Sequence, residues 1–169
     1  MIKQLTYILC TAGMLMLNSG CGIYSHTGAS IPPEAKTFSV DYIGNISSIV
    51  APTLSQVLTE KLKQKFINET QLKLAQTDGD FQFSGKITSY TTAPVGIQGD
   101  QTNAVNRLTI VAEITFESRI DPKKNFTQTF TNFADFPANQ NFAVAEPGLI
   151  NQITDMMVTD IFNKAVINW

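Results

Sequence analysis

The chain offers few side chains that could carry out covalent chemistry. It has two cysteines, Cys10 and Cys21, and a single histidine, His26. Nucleophilic catalysis needs a base beside the nucleophile, and a zinc site needs more Cys and His ligands than this chain has. Asp78 and Asp80 resemble the start of a calcium loop, but the acids of a complete loop do not follow. We therefore predict a protein that is not an enzyme and that holds no metal and no cofactor.

The N-terminal segment has the pattern of an export signal. Lys3 precedes an apolar, uncharged stretch over residues 5–17, which is shorter than the roughly 20 residues that span a bilayer. The alternative is a buried N-terminal helix. Ser19 and Gly20 directly before Cys21 resemble the lipobox of bacterial lipoproteins, with Asn18 where that motif usually has leucine.

The lipobox divides the chain into three parts. We predict a signal peptide over residues 1–20 and a thioether-linked diacylglyceryl group on Cys21, whose new amine is also acylated, for example with palmitate. Residues 21–36 are small and polar and contain Pro32-Pro33, so they form a lipidated tether. Residues 37–169 form one domain, because about 150 residues suit a single core.

Composition limits the partners of this domain. The formal net charge is −2, and 15% of the residues are charged, against about 25% in an average soluble protein. The chain therefore lacks the basic surplus that nucleic-acid binding requires.

Hydrophobic periodicity predicts the secondary structure. Period-two alternation predicts strands over residues 37–42, 71–76, 81–87, 107–119 and 126–133. Asp78-Gly79 predicts a tight hairpin turn between two of them. Apolar residues at helical spacing predict helices over residues 52–68 and from 146 to the C-terminus. Antiparallel strands with a helix towards each end of the domain indicate an α+β fold, with both helices packed on one face of the sheet.

Several segments resemble lipopolysaccharide-assembly lipoproteins of the LptE family, Bacteroidetes type. They are CGIYS at 21–25, TGASIP at 27–32, PTLSQ at 52–56, NRLT at 106–109 and FNKAVINW at 162–169. The resemblance implies two helices on a roughly four-stranded, mostly antiparallel sheet. It also implies an outer-membrane lipoprotein on the periplasmic side, which plugs an LptD-type β-barrel and helps deliver lipopolysaccharide to the cell surface. The alternative function is a free-standing, periplasm-facing lipid- or glycan-binding lipoprotein.

The resemblance further implies contact with lipopolysaccharide. Lys86, Arg107 and Arg119 are candidates because they lie on polar strand faces, where they could meet lipid A phosphates. The alternative for each is a solvated or salt-paired side chain. No acidic run follows Cys21, which favours the inner leaflet of the outer membrane over surface export.

Overall fold

A computed structural model of the chain describes residues 31–49, 51–96 and 104–166. The predicted signal peptide and Cys21 lie outside these residues. The elements in chain order are β1 (Thr37–Val40), β2 (Gly44–Asn45), α1 (Leu54–Glu69), β3 (Lys73–Leu74), β4 (Phe81–Val95), β5 (Val105–Ser118), β6 (Phe126–Pro137) and α2 (Phe142–Val166). Within the described part of the chain, neither helix is both long and apolar enough to span a bilayer.

The strands form one mixed sheet in the order β3-β1-β4-β5-β6, with β2 also beside β4. The long β4, β5 and β6 pair antiparallel, whereas β1, β2 and β3 join by short parallel ladders. The predicted α+β class with two helices is confirmed. The sheet has six strands rather than about four because β2 and β3, each of two residues, complete its edge.

The hairpin predicted at Asp78-Gly79 is wrong. β3 and β4 lie on opposite sides of β1, so residues 75–80 cross over β1 instead of joining neighbouring strands. Asp78 takes the left-handed conformation, with φ of 57°, which aspartate tolerates better than most residues. The local turn signal is real, but tertiary pairing decides which strands the turn connects.

The core lies between the helices and one face of the sheet. The stripe predicted on α1 is buried, and Phe66 from this stripe reaches both the sheet and the other helix. Its ring centre lies 5.4 Å from that of Phe38, 4.8 Å from that of Phe83 and 5.0 Å from that of Phe162. Phe66 therefore joins β1, β4 and α2 at one point.

Helix α2 begins earlier than predicted. Its first residue is Phe142 rather than Glu146, because the side-chain oxygen of Asn141 accepts a hydrogen bond from the backbone N–H of Ala143 at 2.9 Å. Pro147 lies inside the helix near its exposed N-terminal end, where the lost backbone hydrogen bond can be replaced by water.

Asp80 ties the crossing segment to the start of β1. Its Oδ2 accepts hydrogen bonds from the backbone N–H of Lys36 at 2.8 Å, the N–H of Thr37 at 2.9 Å and the hydroxyl of Thr37 at 2.9 Å. The two backbone donors, Lys36 first, lower the pKa of the Asp80 carboxyl because they favour its charged form.

Replacing Gly79 tests the crossing over β1. A Cβ on Gly79 would lie 2.5 Å from backbone atoms of both Phe38 and Ser39, whereas a Cβ on Gly44 would meet nothing within 4 Å. We expect Gly79→Ala to lower the free energy of unfolding by roughly 1–3 kcal/mol, and Gly44→Ala to change it by less than about 0.5 kcal/mol. Urea unfolding of the full chain followed by circular dichroism measures both, and equal effects would contradict the crossing.

Replacing Asp80 tests its charged hydrogen bonds. A carboxyl with a lowered folded-state pKa stabilises the fold above its unfolded pKa, and this contribution is lost as the pH falls through the folded value. We expect Asp80→Asn to lower the free energy of unfolding by about 1 kcal/mol at pH 7. The difference from the wild type should vanish as the pH falls below about 4 and through the lowered pKa. A difference that stays constant from pH 7 to pH 2 would contradict this role.

Candidate functional site

The face of β4, β5 and β6 opposite the helices, here called the open face, carries more hydroxyl side chains than side chains of any other kind. The even-numbered residues of β5 from Leu108 to Phe116 are fully buried on the helix side. The odd-numbered residues of β5 and their cross-strand partners therefore form the open face. Its threonines are Thr91, Thr109, Thr115, Thr127, Thr129 and Thr131. Thr115 and Thr127 share a hydrogen bond of 2.9 Å between their hydroxyl oxygens.

Arg107 lies at one end of the open face in a fixed position. Its Nε donates to Oδ1 of Asp135 at 2.7 Å and its Nη2 donates to Oδ2 at 2.9 Å. The guanidinium carbon also lies 3.7 Å from the ring centre of Phe133, which is 47% exposed. The hydrogen bonds from Arg107 lower the pKa of the Asp135 carboxyl, and the same bonds raise the pKa of Arg107.

The other two candidate cations also have acidic neighbours. Lys86 on β4 pairs with Glu113 on β5, with Nζ and Oε1 2.8 Å apart. Arg119 donates to the backbone oxygen of Asp78 at 2.9 Å and lies 3.5 Å from its carboxylate. These pairs are exposed, so each charge remains accessible to a competing anion.

The three cations do not form one cluster. Arg107 and Arg119 lie about 40 Å apart along β5, at about 3.4 Å per residue, with Lys86 roughly midway. The structure therefore places them in a row along the sheet, where they could contact an elongated ligand at separate points.

Few groups on the described residues are tuned for acid–base chemistry. Besides the charge-stabilising shifts of Asp80, Arg107 and Asp135, burial and a hydrogen bond to Glu146 raise the pKa of Tyr90. Each of these shifts moves the pKa away from neutrality. In the described ranges no three His, Cys, Asp or Glu side chains group to hold a metal ion.

A second exposed feature is apolar. Tyr42, Ile46 and Ile49 are 66%, 65% and 56% exposed and lie on the segment between β1 and α1. We call these three residues the apolar loop. These three residues lie within eight positions of the chain, and a continuous patch of exposed apolar side chains is a common mark of a contact surface.

The structure also has a cavity of about 560 Å³ beside the C-terminal end of α1. It is lined by the last residues of the tether, including Pro32 and Lys36, and by the α1–β3 connection, including Thr70. It does not lie between the helices and the sheet, where Leu58, Leu62 and Ile114 are fully buried.

A protein-family model described as LptE, lipopolysaccharide-assembly, matches residues 35–165. The chain belongs to the LptE family. The match covers the whole described domain from just before β1 to the last turn of α2, so the predicted family is confirmed and the domain is one of lipopolysaccharide assembly. A search of curated proteins finds no match.

Solved structures share the LptE-like fold at low identity. A protein of Chlamydia trachomatis has 7% identity and a TM-score of 0.51, over 78% of this chain and 98% of that one. Uncharacterized lipoprotein B of Nitrosomonas europaea has 9% identity and a TM-score of 0.50, over 85% and 88%. A Xanthomonas campestris protein has 12% identity and a TM-score of 0.50, over 79% and 87%.

The structure shows the salt-paired alternative for all three cations, but sequence reasoning did not identify their acidic partners. Asp135 meets Arg107, and Glu113 meets Lys86, because they are register partners on neighbouring strands. The sequence pattern already placed Phe133 on the same face of β6 as its threonines, but its stacking on Arg107 depends on the same register.

Proposed function

We propose that this LptE-family chain is an outer-membrane lipoprotein on the periplasmic side, which assists lipopolysaccharide transport as the plug and partner of an LptD-type β-barrel. The observation that carries this proposal is the family match over residues 35–165. The remaining support comes from the surface chemistry of the fold.

The open face suits the lumen of a barrel. Such a lumen is polar, so a plug must offer hydrogen bonds without bringing in unpaired charge. Six threonines offer hydroxyl groups on this face, and Lys86 and Arg107 are each paired with an acid there. The apolar loop offers a separate contact outside the open face.

An anchor at Cys21 would hold the domain at the membrane. The tether of residues 21–36 can extend to roughly 50 Å, which leaves the domain free to enter a barrel while its acyl chains stay in the bilayer. The described domain begins its sheet at Thr37, directly after this tether.

The cavity offers little support for the alternative of a free-standing binding protein. That function favours a pocket between the helices and the sheet, and this space is filled by fully buried side chains. The cavity beside α1 lies elsewhere and is partly lined by the last residues of the tether. We propose that the chain has no catalytic activity of its own.

The anchor and the barrel partnership can be tested together. A tagged full chain extracted from native outer membranes in detergent should co-purify with a large β-barrel in stoichiometric amount. Cys21→Ala should abolish the incorporation of a radioactive fatty acid into the chain, because it removes the acylated thiol, although the barrel can still hold the domain at the membrane. Cys10→Ala, which alters only the predicted signal peptide, is the matched control and should keep the fatty-acid label.

A barrel-free monomer from native membranes would contradict the plug. Fatty-acid labelling of Cys21→Ala at the wild-type level would contradict the anchor.

The cations on and beside the sheet can be tested for contact with lipopolysaccharide. We expect Arg107→Met, Lys86→Met and Arg119→Met each to weaken binding to lipopolysaccharide-containing vesicles a few-fold, since each removes a charge-assisted bond to phosphate. Asp135→Asn should strengthen binding because it frees Arg107. Cosedimentation at low and high salt measures the effects, which salt should reduce.

Lys61→Met is the control, because Lys61 pairs with Asp155 on the helix side of the domain. If the three variants bind as Lys61→Met does, the assignment of these cations is wrong.

A further inference from the structure

Two residues of the sequence can begin helix α2, namely Phe142 and Pro147. Proline suits the first turn of a helix, because its missing backbone N–H has no acceptor there. The residue before a proline is disfavoured in the helical conformation, because its backbone clashes with the proline ring. Both preferences favour a helix that begins at Pro147, with Glu146 outside it. In the structure the helix instead begins at Phe142, and Glu146 is helical.

Pro147 also weakens the link between the rest of α2 and residues 142–146, which we call the arm. In a regular α-helix, four backbone hydrogen bonds cross any such point, each from a donor to the carbonyl four residues earlier. The bond from residue 147 to Ala143 is missing, because proline has no N–H. Val144 of the arm is 74% exposed, so the arm lies at the surface. The arm is therefore attached less firmly than one helical turn is to the next.

A ring contact and a hydrogen bond hold the arm on the sheet. The ring centre of Phe142 lies 5.5 Å from that of Phe136 on β6. The hydroxyl of Tyr90 on β4 donates to Oε1 of Glu146 at 2.5 Å. Phe136 and Tyr90 are 4% and 2% exposed, so the docked arm helps to cover both side chains. The hydrogen bond acts on Glu146, the residue whose helical conformation Pro147 disfavours.

We propose that α2 switches between these two first residues. In the closed state the helix begins at Phe142 and the arm is docked on the sheet, as in the structure. In the open state the helix begins at Pro147, and the arm leaves Phe136 and Tyr90 uncovered. Tyr90 lies about 30 Å along β4 from Phe81, which pairs with β1 where the tether enters. The switch uses only contacts within the domain, so it does not depend on the proposed function.

Hydrogen exchange at single amides tests the switch. Gly148 and Leu149 donate to carbonyls of the arm when α2 begins at Phe142, and they lose these acceptors when it begins at Pro147. The amides of residues 152–161 keep their acceptors in both states and are the internal reference. We expect Gly148 and Leu149 to exchange at least about tenfold faster than this reference. Hydrogen–deuterium exchange of the full chain in detergent, read by mass spectrometry with fragmentation, measures both.

Two substitutions should move the switch in opposite directions. Tyr90→Phe removes the hydrogen bond to the Glu146 carboxylate, so it should speed the exchange of the two reporter amides about tenfold. Pro147→Ala restores the missing donor and removes the clash of the proline ring, so it should slow the same exchange at least about tenfold. The reference amides should exchange as in the wild type in both variants.

Asp160→Ala is the matched control. Asp160 accepts a hydrogen bond of 2.9 Å from Asn132 on β6, so this change removes a bond between the sheet and the same helix beyond the arm. It should leave the exchange of Gly148 and Leu149 unchanged.

The outcomes separate a local switch from general loosening of the fold. Faster exchange of the two reporter amides in Tyr90→Phe and slower exchange in Pro147→Ala, with the control unchanged, supports the switch. Reporter amides that exchange as slowly as the reference in the wild type overturn it. An equal rise along the whole of α2 in Tyr90→Phe, no change in Pro147→Ala, or the same rise in Asp160→Ala also overturns it.

Discussion

The fold depends on the burial of Phe66 between the sheet and the second helix. Its ring packs against Phe38 of β1, Phe83 of β4 and Phe162 of α2, so one side chain joins the N-terminal strands, the central sheet and the C-terminal helix. A large buried aromatic side chain contributes several kcal/mol, and its loss would leave a cavity where three elements meet. Because Phe66 of α1 contacts both the sheet and α2, the two helices pack on the same face of the sheet.

Because the helices cover one face of the sheet, the polar side chains of the strands lie on the open face. The helix side is filled with apolar side chains, while the open face carries threonines and two cross-strand ion pairs. Lysines on the helices are also paired, as when Lys61 joins α1 to Asp155 on α2 at 2.7 Å. Many of the charges on the described residues thus lie in local pairs.

Much of the architecture was predictable from sequence, and the predictions that were wrong or missing share a cause. Strict alternation in β5 and the apolar stripes of both helices identified those elements and most of the core residues. The Asp78-Gly79 turn was also visible, yet it joins two strands that flank β1 instead of a hairpin. The strand predicted over residues 71–76 is present as the shorter β3, whereas β2 was not predicted, because two residues give no measurable period.

Local pattern was enough to establish the α+β class, the buried faces of both helices, the family resemblance and the scarcity of reactive side chains. Each of these depends on residue type and on spacing within a single segment. Strand register and the pairing of Arg107 with Asp135 were decided only in the tertiary structure. They depend on which distant segments lie side by side, and the periodicity of one strand carries no information about its neighbour.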